Sequence, residues 1–229
     1  MTIIEPSAHR IDTETAREKL AKIYAGYRIC YSADTEPCVA EPDEMEAFIR
    51  RMLSAARPHE SPLEHASFTF FITCSRSCSH QFVRHRIASF SQQSQRYVKL
   101  GDVRVILPEA IRTNEKIMPW LEKHMAGVEK AYARMLELDI PPEDARAILP
   151  NMTATQLTMT MNCRELLHFF EERCCFRAQA EIRSIAHSML AQCREVLPAV
   201  FESAGMPCLK SKRCVQPKAC GHKPWEEKF

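Results

Sequence analysis

The chain has 229 residues, 45% of them hydrophobic, with 31 lysines and arginines against 29 aspartates and glutamates and a formal net charge of +2. That composition supports one sizeable core or two small ones, and it argues against a general nucleic-acid or membrane-surface protein. No apolar run approaches the roughly 20 residues of a membrane span, and MTIIEPSAHRIDTETAREKL is too polar for a signal peptide, so a soluble cytoplasmic protein is expected.

Residues about 14 to 25 and 42 to 57 are expected to be helical; in the second, Met45, Phe48, Ile49, Met52 and Leu53 recur at helical spacing. ASFTFFITC, residues 66 to 74, is rich in β-formers and reads as a strand. SRSCSHQFVRHR offers a serine cap and a short helix ending near Arg86, followed by a loop, and VRVILP (103 to 108) reads as a second strand. EKIMPWLEKHMAGVEKAYARMLEL is a long amphipathic helix with Pro119 near its start, and PPEDARAILP begins as a helix N-terminus should and stops at Pro150. Threonine-rich TATQLTMTMN (153 to 162) is expected to be a strand, with CRELLHFFEERC and RAQAEIRSIAHSMLAQCREVLPAVFESAG as closing helices stopped near Gly205. No repeat or linker divides the chain. The pattern predicts one α+β domain over 1–229, an antiparallel sheet flanked by helices, with a basic tail at 206–229.

With only five glycines the chain has neither GxGxxG nor a P-loop, so a bound phosphate must be held by side chains and helix ends. The eleven cysteines are an odd number in a chain for which no signal peptide is expected, which argues against a disulfide framework. Cys74, Cys163 and Cys193 sit in apolar patterns as small hydrophobes. Cys208, Cys214, Cys220 and His222 are spaced too loosely for a zinc knuckle; they read as reduced thiols with no metal assigned, a structural metal being the alternative. RPHESPLEH is not HExxH, and Pro62 breaks a helix there, so a zincin is not expected.

The polar residues concentrate in RHRIASFSQQSQRY, residues 84 to 97. At a helix end, Arg84 and Arg86 suit bidentate phosphate contact, and His85 can donate to phosphate or stack on a ring. Ser89, Ser91, Gln92, Gln93, Ser94 and Gln95 offer the paired donors and acceptors that a uracil-like or flavin-like edge needs, and Arg96 adds an anion clamp. A solvated polar loop would carry the same composition. Further along, Arg164 and His168 fall on one face of a helix, with Glu165, Phe169 and Glu172 turned elsewhere.

RHRIASFSQQS fits the RHR-x7-S signature of the flavin-dependent thymidylate synthases, with Ser94 as its last serine. Gln81 resembles that family's QxxR lead-in, HESPLEHASFTF the segment before the signature, DARAILP the stretch with its nucleotide-binding arginine, and NCRELLHFFEERC its N-x-R segment. These blocks stand in order over about residues 59 to 190. The resemblance implies a homotetramer whose active sites draw on several subunits, and reductive methylation of dUMP to dTMP. Methylenetetrahydrofolate would be the carbon donor, and NADPH would reduce a bound FAD. It implies FAD contacts from Ser61, Arg84, His85, Arg86, Gln92, Asn162, Arg164 and His168. It implies dUMP contacts from Gln81, Arg84, Gln92, Gln93, Ser94, Gln95, Arg96, Arg146 and Arg173. Arg173 would favour ionisation of the uracil, His59 would lie near flavin and folate, and Ser94 would act as a hydrogen-bond donor rather than a nucleophile. No cysteine serves as nucleophile in this reading. The chain departs from the family pattern at Ser91 and Gln92, where asparagine and glutamate are common, and at His168, where asparagine is common. An RNA- or nucleotide-binding module, or a flavoprotein reductase indifferent to dUMP, are the competing classes.

Overall fold

The computed structural model describes residues 1–33, 36, 38 and 40–226. Its elements run β1 (Thr2–Ile3), β2 (Ser7–Arg10), α1 (Ala16–Ile29), α2 (Pro42–Leu53), a 3-10 turn (Ser61–His65), β3 (Ser67–Ser75), α3 (Arg76–Phe82), β4 (Ala88–Gln92), β5 (Arg104–Val105), α4 (Glu109–Arg112), α5 (Met118–Glu137), α6 (Pro142–Ala145), a second 3-10 turn (Arg146–Ile148), β6 (Ala154–Asn162), α7 (Cys163–Arg173), α8 (Ala180–Val196), α9 (Pro198–Phe201) and α10 (Cys208–Ser211). The fold is α+β. A four-stranded antiparallel sheet has the order β2-β3-β6-β4, and β1 pairs in parallel with β5. No helix among the described residues is long and apolar enough to cross a membrane.

Two strands pass into helices without a loop, and in each case a polar residue makes the transition. Ser75 ends β3 and caps α3 by accepting from Cys78 N at 3.1 Å. Asn162 ends β6 and caps α7 by accepting from Glu165 N at 2.8 Å. Such a cap satisfies one of the first-turn N–H groups that have no partner inside the helix.

By contact density the chain forms two compact units. One comprises Met1–Ser7, Phe71–Arg84 and Phe90–Thr158; the other Ala8–Phe70, His85–Ser89 and Met159–Phe229. The first is centred on Val103, Val105, Leu107, Leu121 and Met125, the apolar stripe of α5 closing over the short β5 region. The second is aromatic: Phe68, Phe169, Phe170 and Phe201 are all fully buried, with edge-on ring pairs 5.6–5.9 Å apart. Such pairs add roughly 0.5–1.5 kcal/mol each to their area burial.

α1 starts with a capping box: Thr15 Oγ1 accepts from Glu18 N, and Glu18 Oε2 accepts from Thr15 N. It approaches the Ser61–His65 turn at Gly26, where a Cβ would stand 2.8 Å from His65 Cδ2 and 3.2 Å from the Pro62 ring. α1 also buries Lys19 completely. Its ammonium meets Asp12 at 2.8 Å, Glu14 at 3.0 Å and the Ser67 carbonyl at 2.5 Å. A buried lysine survives only when paired in this way.

Several boundaries differ from expectation. The 42–57 helix stops at Leu53, because Ser54 turns its hydroxyl back onto the Arg50 carbonyl. The helix expected to reach Arg86 ends at Phe82, and 103–108 yields only the two-residue β5. The 141–150 helix is one α turn followed by a 3-10 turn. Residues 88–92, expected in a loop, form β4. Ala88, Phe90 and Gln92 alternate inward while Ser89 and Ser91 face out, a period-two pattern hidden by short polar side chains.

Candidate active site

In the second unit, α7 presents Glu165, Phe169 and Arg173 on one face, as i, i+4 and i+8 spacing requires. His85 lies against that face and is only 5% exposed. Its Nδ1 is 3.1 Å from Glu165 Oε1, and Arg173 Nε–H donates to its Nε2 at 3.1 Å. The Phe169 ring stands 5.0 Å away edge-on and the His168 ring 5.7 Å. Burial, then Arg173 and His168, push the His85 pKa down to about 4, and burial pushes Glu165 up. At neutral pH the imidazole is therefore uncharged.

Arg164 and His168 turn to the outer side of α7. With Asn162, Glu60, Glu64 and Ile87 they line an open cleft of ≈ 420 Å³, whose wall Glu165 also reaches. Arg164 is exposed and pairs with Glu64 at 2.5 Å and Glu60 at 3.8 Å, which raises its pKa. Asn162, Arg164 and His168 are thus brought together. His85 is buried on the inner face instead, and Arg86 is exposed. In the same unit Ser61 Oγ is 2.9 Å from His59 Nε2, and Tyr31 OH is 3.2 Å from His59 Nδ1. A serine–histidine pair whose third member is a phenol lacks the carboxylate of a hydrolytic triad.

In the first unit, Gln81 lies on α3 and Arg84 in the exposed turn after it. Gln92 points inward from β4 and donates its amide to Ser79 Oγ at 3.0 Å and Thr155 Oγ1 at 3.3 Å. Gln93 N extends the ladder to the Gln156 carbonyl. Ser94 Oγ accepts from Arg96 N at 3.2 Å, opening a turn that holds Gln95 and Arg96. Arg96 Nε donates to Glu143 Oε2 at 2.7 Å, and Arg146 Nε donates to the Glu143 carbonyl at 3.0 Å. Arg76, half-buried, has its pKa lowered by burial and by Arg146. Arg96 alone meets the Glu143 carboxylate, while Arg146 uses the backbone carbonyl and Arg76 feels the charge of Arg146, an excess of positive charge suited to an anionic ligand.

Sequence reasoning missed Glu165, Arg76 and Glu143. Glu165 had a legible signal: eight residues before Arg173, it shares that residue's helix face. The other two come together only through the fold. Cys175, expected as a packing residue, lines a small cavity of ≈ 20 Å³ in the second unit with Cys208, Cys214, Cys220 and His222. No three histidine, cysteine, aspartate or glutamate side chains among the described residues are placed to hold a metal. Cys74, Cys163 and Cys193 are buried as expected, as is Cys174, and burial pushes the Cys174 thiol up to about 12.

Comparison with known proteins places these residues in a family. A family model described as thymidylate synthase complementing protein, Thy1, matches residues 12–199. The flavin-dependent thymidylate synthase of Nitratidesulfovibrio vulgaris is 45% identical over 226 residues, covering 90% of this chain and 91% of the relative. That of Geobacter sulfurreducens is 44% identical over 196 residues, covering 82% and 83%, and that of Pyrococcus abyssi 44% over 185 residues, covering 78% and 73%. Among solved structures, a UMP/dUMP methylase from Streptomyces cacaoi bound with 5-Br dUMP superposes with a TM-score of 0.74 at 22% identity. The match covers 88% of this chain and 96% of that one, a likeness of fold.

Proposed function

The chain belongs to the flavin-dependent thymidylate synthases, and from that premise we propose that it methylates dUMP reductively to dTMP, with methylenetetrahydrofolate as carbon donor and NADPH as reductant of a bound FAD. The extent of the family match, residues 12–199 with relatives at 44–45% identity, is the observation that carries this reading.

The exposed guanidiniums and amides suit both ligands chemically, whereas His85 and Gln92 are turned inward in this structure. Arg84, Arg86 and Arg164 are exposed guanidiniums, and Arg164 is held only by exposed carboxylates that a phosphate can replace at little cost. Together with Ser61, His85, Gln92, Asn162 and His168 they would hold FAD, which supplies hydride chemistry when bound. The Arg96–Arg146 pair, with Gln81, Arg84, Gln93, Ser94 and Gln95, would take the nucleotide, the arginines meeting its phosphate and the amides its uracil edge. Arg173 would stabilise negative charge on the pyrimidine, making C5 more nucleophilic. His59, oriented by Tyr31 and Ser61, would face the flavin and folate. Ser94 accepts a backbone N–H, so its hydroxyl proton is free to donate to the nucleotide. We take residues 1–229 as a single functional domain, working as a cytoplasmic homotetramer in which each site draws on more than one copy. The eleven free thiols suit a reducing compartment.

The test is dTMP formation by purified yellow protein given dUMP, methylenetetrahydrofolate and NADPH. Turnover should require all three and should survive Ser94→Ala. Colourless protein that takes up no added FAD overturns the reading, and so does a flavoprotein that ignores dUMP.

A further inference from the structure

Beyond the residues assigned to ligands, α7 carries a buried carboxylate with no role in the reaction described above. Glu165 is 8% exposed, and its Oε1 stands 3.1 Å from His85 Nδ1. On the other side of the same ring, Arg173 Nε–H donates to Nε2 at 3.1 Å. Hydrogen inventory fixes the state of the ring. An arginine Nε always carries its proton, so His85 Nε2 must present a lone pair, and the ring's one N–H must be on Nδ1, aimed at the carboxylate. We propose that Glu165 is a positioning residue: it holds His85 in the Nδ1–H tautomer, and that tautomer draws in and aims the Arg173 guanidinium.

Without the carboxylate this tautomer is favoured by the Arg173 Nε–H alone, and the Nδ1–H has lost its acceptor. Among the described residues, Glu165, His168, Phe169 and Arg173 of α7 face the ring, and Glu165 is the acceptor beside Nδ1. The alternative tautomer sets Nε2–H against the Arg173 Nε–H, two donors face to face. The chain of contacts also places the Glu165 carboxyl and the Arg173 guanidinium on opposite sides of one buried ring. The consequence for chemistry rests on the reading that Arg173 meets the nucleotide. The hydrogen bond from its Nε to His85 helps fix the angle at which its terminal nitrogens are presented.

The substitution Glu165→Leu removes the acceptor and keeps the volume roughly constant. It leaves the helix cap intact, because Asn162 accepts from the Glu165 backbone N–H. Glu165→Gln keeps an oxygen that can accept from Nδ1. In ¹⁵N spectra of the flavin-loaded protein, His85 should be the Nδ1–H tautomer in the parent and in Glu165→Gln, and in Glu165→Leu that preference should weaken to a measurable mixture. The kcat/KM for dUMP, expressed per bound flavin, should fall about 10–100-fold in Glu165→Leu and recover to within about threefold in Glu165→Gln. In a double-mutant cycle, Glu165→Leu should cost little once His85→Gln supplies a fixed acceptor for Arg173.

An Nε2–H tautomer in the parent overturns the proposal, and so does Glu165→Leu with Nδ1–H and full kcat/KM. If Glu165→Leu fails to fold, the parent spectrum and the Glu165→Gln kinetics still decide. The tautomer is read without substrate, so a parent protein that makes no dTMP yet shows Nδ1–H fails the proposed activity and not the tautomer assignment.

Discussion

Two arginine-bearing clusters, one around His85 and one around Glu143, use the same kinds of side chain and differ in burial. Around His85 an acid, an imidazole and a guanidinium fix one another's protons out of water, so each is costly to remove. Around Glu143 the partners are exposed: Arg96 and Glu143 have side-chain exposures of 53% and 44%. Pairs of that kind are worth about 0–1 kcal/mol and exchange readily for another anion. The first cluster therefore reads as geometry fixed in advance, the second as charge held available for a ligand.

Lys19 takes the buried extreme furthest and offers the largest expected effect. Its ammonium, fully buried, answers Asp12, Glu14 and the Ser67 carbonyl, and lies 4.5 Å from the Phe68 ring centre. Lys19→Ala strands two carboxylates beside the aromatic core and should cost about 3–5 kcal/mol of stability, read as a lowered urea midpoint. A loss under about 1 kcal/mol would show that burial is not what separates the clusters.

The exposed cluster should respond in binding instead. Arg96→Ala and Arg146→Ala should each raise the KM for dUMP roughly 10–100-fold, the worth of a charge-assisted hydrogen bond, with stability within about 1 kcal/mol of the parent. Unfolding of either variant with unchanged KM would reverse the assignment of the two clusters.

What was legible in the sequence follows the same division. Long periodic segments declared themselves: α1, α5, α8, β3 and β6 fall where hydrophobic spacing put them. β4 did not, since serines and glutamine conceal its alternation, and the end of α3 at Phe82 could not be placed because the sequence at Val83–Arg86 carries no stop signal. The arginines of the candidate site could be named from spacing and resemblance. Their partners could not: Glu143 is 47 residues from Arg96 and Glu165 is 80 from His85, and no local rule relates them. Cys175 joined the tail cysteines for the same reason.

Acid should separate the clusters next. The His85 pKa falls from 6.5 unfolded to about 4 folded, so between those values the unfolded chain binds more protons. Its contribution is fully present above pH 6.5 and is lost as pH falls toward 4, roughly 2 kcal/mol by pH 5. Glu165 works oppositely: its raised pKa gives a contribution present in acid and lost as pH rises through its folded value, so it offsets part of the His85 loss. Denaturation midpoints at pH 7.5 and 5 should therefore differ in the parent, and the difference should shrink in His85→Gln. An equal pH response in both proteins would place the acid sensitivity elsewhere.

The smallest expected effect probes whether the Arg96–Glu143 pair competes with a ligand. Glu143→Gln removes the charge but leaves the backbone carbonyl that Arg146 uses, so only Arg96 is released. Stability should change by less than about 1 kcal/mol, because exposed pairs lose to solvent most of what they gain from each other. If the carboxylate occupies the place an incoming phosphate takes, its removal should lower the KM for dUMP about two- to threefold, and the KM of this variant should rise with salt more steeply than the parent's, since Arg96 then meets the phosphate without a competitor. A raised KM would mean that Glu143 orients Arg96 for the nucleotide, and the exposed cluster would then be as fixed in advance as the buried one.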